Sequence, residues 1–117
     1  MNPSINQKIE QGESFLLAND GQYLGRLTMN KFDTESISNQ YGSYGSKYRN
    51  TSIFNQYSSY GSAYSSLSPF NKYTSTPPII YLRGRKHALL TKNKYLGTNN
   101  IDPDDLFTWM ENNRLRT

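Results

Sequence analysis

Apolar residues fall in short, separated runs along this chain. Two of them, Ser14–Ala18 and Pro78–Leu82, have strand length, and each leads into a glycine turn, Asn19-Asp20-Gly21 in the first case and Arg83-Gly84 in the second. Short apolar runs closed by Asp-Gly or a comparable turn pair are hairpin signals. The segments beyond the two turns are related to each other. Gly21–Phe32 aligns with Gly84–Tyr95 at an offset of 63 residues, with the shared pattern G-x-x-x-[GA]-x-L-T-x-N-K-[FY]. Two like hairpins predict a small antiparallel sheet of four strands with pseudo-two-fold symmetry.

Helical patterning is confined to the ends. Ser4 and Gln7 form a capping box, Ile5 and Ile9 share one helical face, and Gly12 can close the helix. At the other end Asp102 caps and Pro103 starts a helix. Asp104 and Asp105 sit at the positive end of its dipole. Leu106, Phe107 and Met110 then form an apolar stripe, edged by Trp109, that should cover one face of the sheet.

Between the hairpins the pattern belongs to neither a sheet face nor a long helix. Asn39–Phe54 and Asn55–Phe70 match at 10 of 16 positions, a broken third copy starts at Asn71, and a shortened one precedes Asn39. A fixed period repeats one local structure. Ser36, Ser52 and Ser68 recur every sixteen residues, each before a short apolar stretch, and Pro69 stands where a first helical residue would. This spacing predicts a short helical turn after each serine. Gly45 and Gly61 should supply positive φ, and Asn39, Asn55 and Asn71 should bond local backbone.

The expected architecture is α+β and mainly β: one domain over residues 1–117. It comprises an N-terminal helix or tail (1–13), a first hairpin (14–32), an irregular Tyr/Gly/Ser region with short helical turns (33–76), a second hairpin (77–98) and a C-terminal helix (102–117). Composition fits a thin core. Only 34% of residues are hydrophobic, and ten of those are tyrosines, which bury a ring but keep a hydroxyl in need of a partner.

Charge is unevenly placed. From Ser36 to Ile101 there is no acid, while Lys47, Arg49, Lys72, Arg83, Arg85, Lys86, Lys92 and Lys94 contribute +8; the two ends carry 5 basic and 9 acidic residues, or −4. The basic centre either meets an anionic partner or is neutralised by the flanks folding back. The chain has no cysteine, so disulfides and thiolate chemistry are excluded. No apolar run has the length of a membrane span or the flanks of a signal peptide. With Met1 as the native start, this places the protein in the cytoplasm, away from membranes.

The repeat N-[QK]-Y-x-x-Y-G-S-x-Y-x-x-x-S-x-F, followed by N-K-Y-x-x-x-P-P-x-I, resembles that of a group of small bacterial proteins of uncharacterised function. The resemblance covers roughly Gln22 to Thr91. It implies a bacterial or phage origin and brings no assigned activity. The group's turn is richer in Asp, Asn and Gly than Arg83-Gly84-Arg85-Lys86, so the basic tip belongs to this chain.

Catalytic chemistry finds little support. His87 is the only histidine and falls near a hairpin tip, the serines are accounted for by caps and turns, and capping accounts for Asp102, Asp104 and Asp105. No metal or cofactor set is assembled, and no enzyme is expected. Binding remains. The sequence points to a non-catalytic module for another macromolecule, most simply a protein. A nucleic acid is the sharper alternative, with Arg83, Arg85, Lys86, His87, Lys92 and Lys94 on phosphates and Tyr44, Tyr48, Tyr60 and Tyr64 as an aromatic platform. The same platform could serve a carbohydrate. Neither pattern nor charge sets an oligomeric state.

Overall fold

The computed structural model describes residues 4–116. Residues 1–3 and 117, the outer ends of the expected terminal segments, lie outside them. A five-stranded sheet is accompanied by two short helices. Strands β1 (Phe15–Leu17) and β2 (Tyr23–Arg26) form the first hairpin, and β3 (Ile79–Leu82) and β4 (Arg85–Leu90) form the second. The hairpins join side by side through an antiparallel β1–β3 pair centred on Leu16 opposite Ile80. A fifth strand, β5 (Asn100–Ile101), which the pattern did not reveal, runs parallel to β4 and gives the order β2-β1-β3-β4-β5. Two residues carry too little periodicity to announce a strand.

The two hairpins match in detail beyond the strands. Gly21 and Gly84 both have positive φ, and Arg83 joins Gly84 there. At Arg83-Gly84 that is the pattern of a two-residue turn whose twist suits the flanking strands, whereas the first hairpin turns through three residues, Asn19 to Gly21, inside the bond from the Ala18 amide to the Gln22 carbonyl. Downstream, Thr28 and Thr91 are buried and accept through their hydroxyls from the amides of Asn30 and Asn93. Those asparagines in turn accept from the amides of Phe32 and Tyr95.

Side chains alternate across the sheet. Leu16, Leu24, Ile80 and Leu90 join Ile37, Ile53, Leu106 and Met110 in the main core cluster. On the other face Phe15 stacks on Tyr81 at 4.6 Å between ring centres. Helix α1 (Ile5–Glu10) is capped by Ser4, which accepts from the Gln7 amide. It ends as a Schellman motif: Glu13 N–H donates to the Lys8 carbonyl, Gly12 N–H to that of Ile9, and Gly12 takes φ +69°. Asp102 caps a 3₁₀ turn (Pro103–Asp105) that leads into α2 (Leu106–Asn112). The expected stripe divides: Leu106 and Met110 enter the core, whereas Phe107 stacks on Phe54 of the repeat, 5.6 Å apart.

The repeat region corrects the sequence reading. No helix forms after Ser36, Ser52 or Ser68. Their hydroxyls do accept from the amide two residues on, at Ser38, Phe54 and Phe70, as a helix cap would. Three residues later, however, Asn39, Asn55 and Asn71 present the same acceptor to Tyr41, Tyr57 and Tyr73. Each turn therefore closes and another begins before a helix can propagate. A side chain that bonds its own backbone competes with the helical ladder, and Ser, Asn and Gly are poor helix formers besides. The result is a spiral of consecutive turns. Amide-to-carbonyl bonds three residues long run from 52 to 49, 55 to 52, 58 to 55 and 61 to 58, and continue through 74 to 71.

The spiral also bonds to itself across six residues. Nδ2 of Asn39, Asn55 and Asn71 donates to the carbonyls of Asp33, Arg49 and Ser65, at 3.2, 3.0 and 3.1 Å. Close approach at this separation explains the glycines, which do not take the positive φ expected of them. A Cβ on Gly45 or Gly61 would lie 2.1 Å from the carbonyl oxygen of Asn39 or Asn55. Ser36, Ser52 and Ser68 are fully buried beside Ile37, Ile53 and Pro69, and this inner edge seats the spiral against the sheet.

Candidate binding groove

Each full unit has three tyrosines, and their turns alternate their fates. Tyr44 and Tyr60 point inward. Tyr44 meets the Tyr23 ring edge-on at 5.1 Å, and Tyr60 packs against the core and donates its hydroxyl to Asp20 at 2.8 Å. Burial, and then that hydrogen bond, push the Tyr60 phenol up to about 12. Tyr41, Tyr57 and Tyr73 point out, as do Tyr48 and Tyr64 and, from the two hairpin copies, Phe32 and Tyr95. Tyr41 and Tyr57 are each 96% exposed.

All seven outward rings share one local device. Each is the third residue of an Asn-x-aromatic or Ser-x-Tyr triplet whose first side chain accepts from the aromatic residue's own amide. The same bond also forms at Ser58-Ser59-Tyr60, whose ring turns inward, so the device fixes the backbone while the position within the repeat decides which way the ring faces. The expected platform of Tyr44, Tyr48, Tyr60 and Tyr64 is therefore divided between the two sides. The outer set recurs with the sixteen-residue period, as Tyr41, Tyr57 and Tyr73 and as Tyr48 and Tyr64, a signal the sequence did contain.

The outward rings border a chain of open recesses. One, of about 500 Å³, is lined by Lys31, Phe32, Ser38, Asn39, Gln40 and Tyr41. Another, of about 360 Å³, is lined by Lys47, Tyr48, Phe54, Asn55, Gln56 and Tyr57. Every residue of the second is the counterpart of one in the first, sixteen positions on. A third recess of about 540 Å³ shares Lys31, Gln40 and Tyr41 with the first and Lys47, Tyr48 and Phe54 with the second, and its floor includes Phe107. Together they form one groove. None of its lining residues is acidic, and neither Lys31 nor Lys47 makes an ion pair among the described residues.

The acids are engaged elsewhere. Glu13, Asp33 and Glu35 close on Lys8 and Arg26, with Lys8 Nζ 2.9 Å from Glu35 and Arg26 bridging Glu13 at 2.8 Å and Asp33 at 2.6 Å. Lys8 is only 6% exposed and lies over the Tyr23 ring at 4.6 Å. Burial opposes ionisation of Glu35. Hydrogen bonds from Lys8 and Tyr23, with the charges of Lys8 and Arg26, outweigh it and hold the carboxyl below its ordinary value. Asp33 is held low in the same sense by the Glu35 amide and Arg26. These acids thus neutralise cations of their own N-terminal segment. Of the eight central cations only Lys92 is ion-paired among the described residues, to Asp102 at 3.1 Å and to Asp104.

Four of the other expected phosphate contacts, Arg83, Arg85, Lys86 and His87, follow one another at the β3–β4 turn and the start of β4. Arg83 donates to the Asn113 carbonyl at 2.8 Å, and His87 lies 5.5 Å from the Trp109 ring. Arg85, Lys86 and Lys94 are exposed. Lys92, held by two carboxylates, is not a free cation. No helix among the described residues is long and apolar enough to cross a membrane. No family model, no curated protein and no solved structure matches the chain.

Proposed function

We propose that this chain is a non-catalytic interaction module that docks another macromolecule along the groove from Phe32 to Tyr57. The observation that carries this reading is the repetition of one six-residue constellation at a sixteen-residue offset, each copy holding a lysine, an aromatic ring and an Asn-[Gln]-Tyr triplet. Repeated subsites suit a partner that presents a repeating unit along an extended chain. A linked second subsite raises the affinity of the first without any new kind of contact. The protein partner expected from sequence would have to be extended in this sense.

The groove's chemistry supports the non-catalytic part of this reading. Its lining holds no carboxylate and no imidazole, the groups most often used for proton transfer. Exposed tyrosines with short polar neighbours suit adaptable, area-rich contacts.

A panel titration followed by amide NMR tests the reading. The panel comprises a single-stranded oligonucleotide, heparin, a neutral glucan and an extended polypeptide. At least one should shift the amides of residues 31–57 while leaving β3 and β4 unmoved. A panel that moves only the Arg83–Lys86 turn, or moves nothing, contradicts it.

A further inference from the structure

Resting on that reading of the groove, we infer that its occupant is a single-stranded polynucleotide, with a base against an outward ring in each repeat and phosphates near Lys31 and Lys47. Two independent features of the groove set this chemistry. The first is charge. Two exposed lysines line it, no acid does, and the nearby carboxylates of Asp33 and Glu35 are committed to Arg26 and Lys8. Such a surface favours a polyanion over a neutral chain.

The second feature is the rings. Tyr41, Tyr48 and Tyr57 are exposed with their backbone held by their triplets; Tyr41 and Tyr48 are each shared between neighbouring recesses, and Tyr57 lines the last of them. A polyanion that also offers one flat π-face per unit is a nucleic acid, and only a single strand leaves those faces free. Aromatic platforms in a cationic groove bind single strands with little regard to sequence, because every base can stack. An acidic glycan matches the charge but has no face of this kind. A duplex matches the charge and keeps its bases stacked inside. Gln40 and Gln56, at matching places in the two recesses, can both donate to and accept from a base edge or sugar.

The inference is tested with the intact chain and fluorescein-labelled oligothymidylate and oligouridylate of about twelve nucleotides, a length within the range such grooves occupy. Anisotropy is followed from low to moderate salt. Both strands should bind, and a duplex of the same length should bind more weakly. Tyr41→Ala and Tyr57→Ala should each weaken binding roughly five- to hundredfold, whereas Tyr41→Phe and Tyr57→Phe, which keep the ring, should not. The slope of log affinity against log salt should flatten by about 1.4 in Lys31→Gln/Lys47→Gln, at about 0.7 for each phosphate neutralised on a single strand. Binding that survives all the groove substitutions and is lost in Arg85→Ala/Lys86→Ala overturns the inference. If neither strand binds while heparin shifts the groove amides, the polynucleotide is refuted and the docking groove stands. If nothing moves those amides, both fall.

Discussion

Nδ2 of Asn55 donates to the carbonyl of Arg49, 3.0 Å away and six residues earlier. The same side chain accepts through Oδ1 from the Tyr57 amide, so one asparagine both closes the spiral and fixes the backbone beneath an outward ring. Asn55 is itself 5% exposed, and the Arg49 carbonyl it reaches also accepts from the Ser52 amide. Asn55→Ala should destabilise the fold by about 1–3 kcal/mol, at about 0.5–1.5 kcal/mol for each of the two hydrogen bonds lost. Urea denaturation measures it. An effect within about 0.5 kcal/mol of wild type, as at an ordinary surface site, would mean that the bond contributes nothing.

Gly45 and Gly61 are expected to be intolerant of any side chain. Alanine at either would place its Cβ 2.1 Å from a backbone oxygen, which can be relieved only by opening the spiral. The expected cost is about 1–3 kcal/mol or more, as for other overpacking changes. Gly42→Ala is the comparison: its nearest approach is 3.1 Å, and a smaller loss should result.

The charge cluster gives the protein an acid dependence of definite sign. Glu35 and Asp33 have folded values below their unfolded ones. Their contribution to stability is complete above the unfolded carboxylate range and is lost as pH falls through the depressed folded values. Thermal melts should therefore fall steeply below about pH 4.5, and Glu35→Gln should flatten that fall while lowering stability at neutral pH. A neutral-pH loss without any change in the acid limb would contradict the pairing.

The phenol of Tyr60 provides a local probe of how the spiral meets the first hairpin. Its value of about 12 is set first by burial and then by Asp20. Asp20→Asn should lower it without returning it to the ordinary tyrosine value. Ring NMR during a base titration reads this directly, and no movement on substitution would break the Tyr60–Asp20 contact.

Much of this was legible in the residues. The hairpins follow from Asp20-Gly21 and Arg83-Gly84 set beside apolar runs, and the caps from Ser4 and Asp102. The spiral was harder. Ser36, Ser52 and Ser68 do act as caps, but whether a helix forms after them depends on Asn39, Asn55 and Asn71 restarting the turn three residues later. That competition is settled by bonds six residues long, beyond a local reading. The platform was half found for the same reason. The sixteen-residue period pairs Tyr44 with Tyr60 and Tyr48 with Tyr64, and the fold divides the four along those pairs, the first packed within and the second facing outward. Strand β5, at two residues, had no signal of its own to read.

The division between inward and outward tyrosines is the central claim, and the affinity of Tyr41→Ala/Tyr57→Ala at unchanged stability tests it most directly. Both rings are 96% exposed, so the double variant should melt as the wild type does, within about 0.5 kcal/mol for a surface change. Its affinity for the single-stranded oligonucleotide should nevertheless collapse. Wild-type affinity in a folded double variant, or a loss of stability like that of a core truncation, would contradict the account.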